Sequence, residues 1–462
     1  MKVDLIIVGA GPAGLAAASA AAEHGLETLV LDEQPSLGGQ IYRNIERASK
    51  DRVNILGKEY SQGSHLVQRF RKSHAGYQGN TLVWRIDPDG RVCFSHEGRA
   101  RQIEGKKIIL ATGAVERPVP FPGWNLPGVM GVGALDANFK SSGTIPDGSV
   151  VMAGSGPLIL SSAVHLIRQG VEIVGILDTT PADNILAGLA HMVPALKRPG
   201  YLFKGIAMIG ALKRARVRII RGVTSYKALG DDQLDRVAYL GAKGKGELAA
   251  RILLVHEGII PRTDFTRQLG LDHAWNPVQK YWHPVVNLSG KTQMDTIYVA
   301  GDGAFVHGSI SAALKGELAA LDIAWELKAV PNRQRGAALK RIKRQLAAEF
   351  SPRPFVDAMF KPRSGLYDLD DDTLVCRCEG VSAGDIREAL DQGCREPNEI
   401  KALTRCGMGP CQGRMCGLAL CELIAQHLGT DVSRLPVLNI RPPVRNIPLA
   451  ELAEIDLLEP QA

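Results

Sequence analysis

The cysteines of this 462-residue chain are concentrated near its C-terminus. Cys93 is the only one of the eight cysteines in the first 375 residues, and the other seven lie between Cys376 and Cys421. A secreted protein stabilised by disulfides would distribute its cysteines more widely. The pattern therefore predicts a reducing compartment, with a local metal or redox site near the C-terminus.

Two close cysteine pairs provide four thiolates for such a site. Cys376 and Cys378 form the first pair, and after 32 intervening residues Cys411 and Cys416 form the second. Four thiolates are the ligand set of a [2Fe–2S] cluster. Structural zinc is the alternative, but zinc sites usually use C-x2-C spacings, so we predict the cluster. Cys406, five residues before Cys411, is the alternative ligand.

The sequence around these pairs predicts a small helical unit. Ser382 to Asp385 has the pattern of a helix N-cap, and TRCGMGPCQG (404–413) supplies glycines for a backbone wrapped around a cluster. Cys394 and Cys421 lie in predicted helical stretches, and we expect both to be buried as small hydrophobic residues.

A glycine-rich turn near the N-terminus is typical of a dinucleotide site. The sequence GAGPAG at 9–14 follows a predicted strand at 3–8 and precedes an alanine-rich helical run. Gly9 permits the tight turn, Gly11 lets the backbone approach a diphosphate, and Gly14 lets the helix pack close to the strand. The diphosphate would then face the helix N-terminus, where free N–H groups favour negative charge.

An acidic residue follows at the expected distance. Asp32 lies 23 positions after Gly9, at the end of a predicted strand over 28–31, where it could accept hydrogen bonds from ribose hydroxyls. Glu33 is the alternative for this role. The same strand, turn and helix also explain the uncharged run from Leu5 to Ala22 better than a leader or a membrane anchor does.

A second strand, glycine turn and helix follows at 150–170. Gly154 and Gly156 match the pattern, but Ile159 occupies the third position, where a branched side chain would push the helix away from the strand. Asp178 closes the next predicted strand and could still contact a ribose. We expect a retained fold whose nucleotide site is altered or lost, so NAD(P) binding stays open.

Further motifs identify the cofactor of the first turn. GGQI (38–41), ATG (111–113) and TIYVAGD (296–302) resemble, in this order, the pyridine nucleotide–disulfide oxidoreductase type of flavoprotein. The resemblance covers about residues 1–330 and implies an FAD domain assembled from both ends of this segment. The FAD-contacting residues that it implies are Gly9, Gly11, Pro12, Ala13, Gly14, Asp32, Glu33, Gly39, Gln40, Thr112, Gly113, Gly301 and Asp302.

The sequence argues against flavin-to-disulfide chemistry in this chain. Disulfide reductases of that superfamily place a redox-active cysteine pair beside the flavin, whereas GGQIYRN (38–44) and the predicted second domain contain no cysteine. No nucleophile and base constellation is visible, and the catalytic residues stay unknown. The histidines considered as acid–base groups are His65, His256, His283 and His307, of which His307 would be nearest the flavin by the superfamily pattern.

The whole chain resembles a narrower family. VCRCEGV (375–381), TRCGMGPCQGRMCG (404–417) and HEGIIPRTDF (256–265) are similar to the larger FAD subunit of bacterial opine oxidase, hydrogen cyanide synthase and D-hydroxyproline or proline dehydrogenase. The cysteine-rich end resembles the bacterioferritin-associated type of [2Fe–2S] ferredoxin. These likenesses imply an electron-transfer subunit with FAD and a [2Fe–2S] cluster in a heteromeric amine or opine dehydrogenase.

In that family the partner is a flavoprotein subunit folded like a D-amino-acid oxidase, which oxidises the amine, and a further small iron–sulfur subunit is possible. One alternative is a self-sufficient NAD(P)H-dependent FAD/[2Fe–2S] reductase. A second is a zinc-stabilised assembly subunit. The formal net charge of +7 is mild for this length and does not call for a nucleic-acid partner. We expect a cytoplasmic protein without a transmembrane segment, in a complex for which peripheral membrane association is left open.

The expected fold is α/β: a two-dinucleotide-binding-domain flavoprotein with Rossmann-like FAD and NAD(P)-like domains, followed by a small helical [2Fe–2S] domain. A basic stretch at 332–345 and an acidic one at 367–372 mark a linker or a docking surface. The expected divisions are residues 1–120 and 256–330 for the FAD domain, 121–255 for the NAD(P)-like domain, 331–373 for the linker, 374–428 for the cluster domain and 429–462 for a tail.

Overall fold

The computed structural model describes residues 2–453, so the last nine residues of the expected tail lie outside it. The chain opens with the predicted strand, turn and helix, because its short apolar strand runs directly into the glycine turn. The elements of this first part are β1 (Lys2–Val8), α1 (Pro12–Glu23), β2 (Thr28–Leu31), α2 (Lys50–Leu56), α3 (Lys58–Ser61), α4 (Gly63–Lys72), β3 (Gly76–Gln78), β4 (Thr81–Ile86), β5 (Arg91–His96), β6 (Arg99–Leu110) and β7 (Ala114–Glu116).

The second predicted glycine-turn unit is also present. Its elements are β8 (Val129–Gly131), α5 (Val132–Ser142), β9 (Val150–Gly154), α6 (Pro157–Arg168), β10 (Ile173–Asp178), α7 (Ala182–Leu189), α8 (Met192–Ala195), α9 (Pro199–Arg214), β11 (Ile219–Arg221), β12 (Ser225–Leu229), β13 (Arg236–Gly241), β14 (Gly244–Ala249) and β15 (Ile252–His256). Five of these strands form a parallel sheet in the order β11-β10-β9-β15-β8, and β12, β13 and β14 form an antiparallel sheet.

The chain then returns to the first part. The elements here are β16 (Ile259–Pro261), α10 (Asp264–Gln268), β17 (His273–Asn276), β18 (Tyr281–Pro284), β19 (Ile297–Val299), α11 (Ser309–Glu326), α12 (Asn332–Phe350) and α13 (Arg353–Met359). β19 pairs in parallel with β6, which completes a seven-stranded sheet with the order β3-β2-β1-β6-β5-β4. The predicted α/β class with two dinucleotide-binding folds is therefore confirmed. The antiparallel pair β7 and β16 connects the two folds.

The cysteine-rich end forms a small, mainly helical unit. It contains β20 (Leu374–Cys376), β21 (Val381–Ser382), α14 (Ala383–Asp391), α15 (Pro397–Thr404) and α16 (Gly417–Leu428), followed by α17 (Leu449–Ala453). The predicted cap of α14 is present: Ser382 Oγ accepts from the Asp385 N–H at 3.1 Å, and the Ser382 N–H donates to Asp385 Oδ2 at 2.7 Å. Trp124 Nε1 donates to the Leu374 carbonyl at 2.8 Å, so this unit is anchored to the junction between the two folds.

The segment expected to be a linker is largely helical. α12 packs against α11, and Ile342 and Leu346 are buried in the same apolar cluster as α1. α13 packs against α7 and α8. The spacing of Leu339, Ile342 and Leu346 is that of one helix face, so the basic run is the outer face of a helix that is part of the α/β body. Within residues 2–453, none of the helices combines the length and the apolar character that a bilayer-spanning segment needs.

Helix α1 lies unusually close to α11. Gly316 of α11 faces the backbone of α1, and a Cβ added there would lie 2.0 Å from the Ala13 carbonyl oxygen. The small residues of α1 keep this interface thin, because seven of its twelve residues are alanine and one is glycine. The two helices thereby share one apolar core beside the seven-stranded sheet.

We predict that Gly316→Ala destabilises the protein although alanine favours helix formation. The added methyl group meets backbone that cannot move aside, and overpacking of this kind costs about 1–3 kcal/mol. The matched control is Gly336→Ala in α12, where the added Cβ would meet no atom within 4 Å. That control should stabilise the protein by up to about 1 kcal/mol. Thermal unfolding midpoints measure both effects, and an unchanged midpoint for Gly316→Ala would contradict the close contact.

Candidate functional site

A cavity of about 860 Å³ lies between the two dinucleotide-binding folds and is covered by α13. Its wall combines residues from both ends of the first fold with residues of the second fold. Eleven of the thirteen FAD-contacting residues implied by the sequence line it, namely Gly9, Gly11, Pro12, Ala13, Asp32, Glu33, Gly39, Gln40, Thr112, Gly113 and Asp302. Gly14 and Gly301, the other two, are not part of the wall and act in the packing behind it.

The glycines of the first turn bring three stretches of backbone together. Gly9 has φ +110°, and a Cβ added there would lie 2.5 Å from the Ala111 carbonyl oxygen. A Cβ on Gly14 would lie 1.9 Å from the Gly9 carbonyl oxygen, and a Cβ on Gly39 would lie 2.6 Å from Gly11 Cα. No side chain fits at these positions, so the N-terminus of α1 is open to the cavity.

The carboxylate of Asp302 is fixed at the wall by backbone groups. Its Oδ1 accepts hydrogen bonds from the His307 N–H at 2.8 Å and the Gly308 N–H at 3.0 Å. Gly301, which precedes it, has φ +78°, and a Cβ there would lie 2.8 Å from Ala13 Cβ. The absence of a side chain at Gly301 therefore allows Asp302 to lie close to the N-terminal end of α1.

The acidic pair after β2 has two different environments. Asp32 is buried, and its carboxylate accepts hydrogen bonds from the backbone N–H groups of Ala10 and Gln34, the latter at 2.7 Å. Burial raises the pKa of Asp32 in spite of these two hydrogen bonds. Glu33 is more exposed, and its Oε1 lies 3.8 Å from a guanidinium nitrogen of Arg262. Both acids line the cavity at the end of β2, as the sequence predicts for ribose-binding groups.

The second glycine turn reaches the same cavity. Ser155, Gly156 and Pro157 line it, and Gly156 has φ +127° with the imidazole of His256 3.3 Å from the place of an added Cβ. Ile159 is buried in the apolar core of the second fold. In the first fold the equivalent Gly14 leaves no room for a side chain, so α6 does not approach its turn as α1 does.

Of the four candidate histidines, His256 alone lines the cavity. Its Nδ1 lies 2.7 Å from Oε1 of Glu116, whose Oε2 accepts from the Gly133 N–H at 2.9 Å. His65 is exposed on α4, and His283 on β18 packs its ring 5.0 Å from that of Phe305. The buried His256–Glu116 pair joins two strands that are 140 residues apart in sequence.

His307 lies in an aromatic cluster behind the cavity wall. Its ring centroid lies 4.6 Å from that of Phe305 and 4.4 Å from that of Phe350, and its Nδ1 lies 2.9 Å from Nζ of Lys315. Burial, together with the positive charges of Lys315 and Arg353, lowers the pKa of His307 to about 2. Burial likewise lowers the pKa of Lys315 to about 8. A neutral His307 accepts a hydrogen bond from the Lys315 ammonium group and fixes the residues next to Asp302.

Sequence reasoning missed the basic side chains of the cavity. The missed residues are Lys140, Lys204, Arg262, Arg353 and Arg445. They are scattered over five separate segments, so a local motif could not identify them as a group. A weak signal was available for Arg262, which lies within the family-like run HEGIIPRTDF.

Cysteine is not found among the described residues that line the cavity. Cys93 is buried on β5 within the first sheet. The expected lack of a cysteine pair beside the dinucleotide site therefore agrees with the geometry of the described wall, and disulfide exchange has no residue there to carry it.

The cysteine-rich unit brings thiols together around a buried centre. The sulfur atoms of Cys376, Cys406 and Cys416 all lie within 4.8 Å of one another, and all three residues are buried. Cys411 is half-buried and hydrogen-bonded to Cys416, and the exposed Cys378 is hydrogen-bonded to Cys411. All four predicted ligands thus belong to one connected group, and Cys406 occupies a central place in it.

The remaining cysteines differ from one another. Cys421 is buried in α16, as predicted. The same prediction is wrong for Cys394, which lies half-buried in the turn after α14, because that helix ends at Asp391.

A C-terminal segment, residues 436–448, connects the cysteine unit to the cavity. Leu438 packs over the glycine loop, where a Cβ on Gly413 would lie 2.6 Å from Leu438 Cδ1. The Val444 N–H then donates to the Trp84 carbonyl of β4 at 2.8 Å. Arg445 binds Asp264 through a 2.8 Å hydrogen bond and lines the cavity.

The fold and the cavity define a flavoprotein with two dinucleotide-binding folds. Residues 3–320 match the family described as pyridine nucleotide-disulphide oxidoreductase, and residues 371–455 match the sarcosine oxidase A3 domain. The chain is an FAD-dependent oxidoreductase of this class. Among solved structures, L-proline dehydrogenase from P. horikoshii shares the fold with a TM-score of 0.73 and 20% identity, over 98% of this chain and 79% of that chain.

The curated relatives narrow the family. The A-type subunit of opine oxidase from Rhizobium meliloti (strain 1021) is 38% identical over 99% of this chain and 99% of its own length. The HcnB component of hydrogen cyanide synthase from Pseudomonas protegens is 32% identical over 90% of each chain. The alpha chain of sarcosine oxidase from Rhizobium meliloti matches 41% of this chain but 20% of its own length, at 32% identity. This chain belongs to the family of the A-type subunits of opine oxidase.

The environment of His307 predicts a pH-dependent stability. Its pKa is about 2 in the folded protein, while an unfolded histidine titrates near 6.5, so the unfolded state binds the extra proton below about pH 6.5. Folding stability should therefore fall as the pH is lowered through that value. Between pH 7.5 and 5.5 we expect the wild type to lose about 1 kcal/mol more than His307→Gln does.

Urea unfolding at the two pH values measures this difference. His165 and His273, whose pKa values are also lowered by burial, are present in both proteins and cancel in the comparison. His65→Gln is the matched control, because His65 is exposed, and it should behave as the wild type does. Equal losses for the wild type and His307→Gln would rule out a buried neutral imidazole at this position.

Proposed function

We propose that this chain is the FAD and iron–sulfur electron-transfer subunit of a heteromeric amine or opine dehydrogenase. The observation that carries the proposal is the presence, in one chain, of a dinucleotide cavity without lining cysteines and a separate group of clustered thiols. When bound, FAD exchanges electrons in pairs and a [2Fe–2S] cluster exchanges them singly, so together they supply a conversion between the two. Such an activity needs no acid–base pair from the protein.

The described residues fit FAD in the cavity. The glycine turn leaves the N-terminus of α1 free for a diphosphate, and Asp32 and Glu33 lie where ribose hydroxyls would need acceptors. Asp302 offers a carboxylate held by two backbone N–H groups. These residues, with Gly39, Gln40, Thr112 and Gly113, would bind and orient the cofactor.

The donor set of the cysteine unit fits a [2Fe–2S] cluster. Cysteine thiolates are the usual ligands of such clusters, and buried sulfurs are protected from solvent. Hydrogen bonds from Cys406 and Cys416 hold the pKa of the Cys376 thiol well below its usual range. Four of the five thiols suffice, so either Cys378, as the sequence spacing suggests, or the buried Cys406 would complete the set with Cys376, Cys411 and Cys416.

The partner in this proposal is a flavoprotein subunit that oxidises the amine. The names of the relatives support it, since opine oxidase, hydrogen cyanide synthase and sarcosine oxidase are all represented by one named component each. We propose a partner folded like a D-amino-acid oxidase, and a further small iron–sulfur protein is an optional component. In this complex the chain takes electrons from the partner and releases them in the cytoplasm.

We predict that Asp302→Ala weakens FAD binding by about tenfold to a hundredfold. Loss of a hydrogen bond to a charged group costs about 1.5–3 kcal/mol, and each 1.4 kcal/mol corresponds to a factor of ten. The flavin-to-protein ratio after dialysis measures the effect. Asp147→Ala, a change of the same type at an exposed site, should keep the wild-type ratio. A full flavin content in Asp302→Ala would remove this residue from the proposed site.

We predict that Cys376→Ser and Cys416→Ser lose the iron, the acid-labile sulfide and the charge-transfer absorbance of the cluster while keeping FAD. The two sites are separate, so the flavin spectrum serves as the internal control for folding. Cys394→Ser is the matched control and should keep the iron. Of Cys378→Ser and Cys406→Ser, one and not both should retain a full cluster, because four thiolates suffice. Zinc without iron in the wild-type protein would support the zinc-stabilised alternative and contradict the cluster.

A second candidate function is an NAD(P)H-dependent reductase. It is favoured by one observation, since Ser155, Gly156 and Pro157 of the second glycine turn line the same cavity as the first. Rapid bleaching of the flavin absorbance by NADH or NADPH in the isolated chain would support this function. We expect no bleaching, because Ile159 keeps α6 away from its turn, where α1 approaches its own closely.

A further inference from the structure

A compact group of helices in the second fold exposes an apolar surface. We name the segment 182–206, which contains α7, α8 and the start of α9, the apolar hairpin. Eight of its large hydrophobic side chains are between 43% and 76% exposed. They are Ile185, Leu186, Leu189, Val193, Leu196, Tyr201, Phe203 and Ile206. Single exposed apolar residues are normal on a protein surface, whereas a contiguous group of this kind marks an interaction site.

The apolar hairpin is firmly attached to the body of the protein. Asn184 Nδ2 donates to the Lys361 carbonyl at 2.7 Å, and Gly188 packs against Met359 of α13, 3.3 Å from the place of an added Cβ. Ala195 is completely buried, as is Leu212 in the second half of α9. The exposed side chains are therefore the outward face of a packed structure.

The charge around this surface has one sign. Residues 184–221 contain eight Lys and Arg and no Asp or Glu, and α12 contains six Lys and Arg with a single acid, Glu349. Glu349 is buried and pairs with Arg198, and its Oε2 accepts from the Tyr201 hydroxyl at 2.9 Å. These contacts place the basic α12 directly beside the apolar hairpin. The exposed cations of the combined surface are Lys197, Arg198, Lys213, Arg214, Arg333, Lys340, Arg341, Lys343 and Arg344.

We infer that the apolar hairpin and α12 bind the surface of an anionic phospholipid bilayer. Helices that lie in the bilayer interface combine Leu, Ile and Phe on one side with Lys and Arg around them, which is the composition found here. Protein–protein interfaces are depleted in lysine and other charged residues at their centre, so a surface framed almost entirely by cations fits a lipid better than a protein. The hairpin enters the interface without crossing the bilayer, in keeping with the length and character of the described helices.

This orientation has a direct consequence for the cavity. Lys204 lies on α9 between Phe203 and Ile206, and it also lines the cavity. Contact of the hairpin with a bilayer therefore brings this part of the cavity wall close to the lipid headgroups. The inference does not depend on which cofactor the cavity or the cysteine unit holds.

Vesicle sedimentation with the full-length flavin-containing protein tests the inference. The wild type should sediment with phosphatidylcholine vesicles that contain phosphatidylglycerol, and at least tenfold less with pure phosphatidylcholine. The variant Leu186→Ser/Val193→Ser/Phe203→Ser/Ile206→Ser should lose at least tenfold in binding to the anionic vesicles. The matched control, Val285→Ser/Leu288→Ser, alters two exposed apolar residues outside the hairpin and should bind as the wild type does.

A second variant tests the charge. Lys340→Gln/Lys343→Gln/Arg344→Gln should weaken binding to the anionic vesicles by roughly fivefold per residue removed, because each cation near such a surface contributes about 1 kcal/mol. Its binding to pure phosphatidylcholine should not change. FAD content, measured for every variant, verifies that the fold is intact and separates this test from that of the proposed function.

Three results would overturn the inference. One is unchanged vesicle binding by the four-residue hairpin variant, and another is equal wild-type binding to neutral and anionic vesicles. The third is loss of co-purification with the partner protein by the hairpin variant, with no vesicle binding by the wild type. That last result would identify the hairpin as a protein interface.

Discussion

Helix α1 is held between two stretches of backbone that leave no room for side chains. On one side its Gly14 touches the carbonyl of the Gly9 turn, and on the other its Ala13 carbonyl meets Gly316 of α11. Because both contacts are made by backbone, the N-terminus of α1 has a fixed position at the floor of the cavity. The second fold lacks this constraint, and its turn contributes to the cavity without the same close approach. The difference between the two folds is thus the difference between a glycine and an isoleucine.

Much of the architecture could be predicted from local sequence. Both strand, turn and helix units, the cap of α14 and the return of the chain to the first sheet at 297–299 follow from patterns within short windows. The cavity positions of Asp32 and Asp302 follow from motifs of the same kind. In contrast, the pairing of His256 with Glu116 joins residues 140 positions apart, and no local pattern encodes it. The basic run in α12 was ambiguous because its three apolar positions were outnumbered by charges.

The two candidate redox sites illustrate the same limit. Spacing alone identified the four cysteines of the predicted ligand set, but it ranked Cys406 behind them. The fold instead buries Cys406 with Cys376 and Cys416, because α15 ends at Thr404 and turns the chain inward. Similarly, a histidine next to Asp302 was expected near the flavin, whereas stacking between Phe305 and Phe350 draws its ring away from the cavity. In both cases tertiary packing decided between residues that the sequence presents as equivalent.

The C-terminal segment gives the chain an order of completion. Residues 436–448 cover the glycine loop of the cysteine unit and supply Arg445 to the cavity wall. Synthesis proceeds from the N-terminus, and the first fold has emerged from the ribosome long before these residues do. Both sites therefore stay open on one side until translation is nearly finished. The last residues to be made act as a closure for two centres at once, and a premature stop codon in this region would leave both of them exposed to solvent.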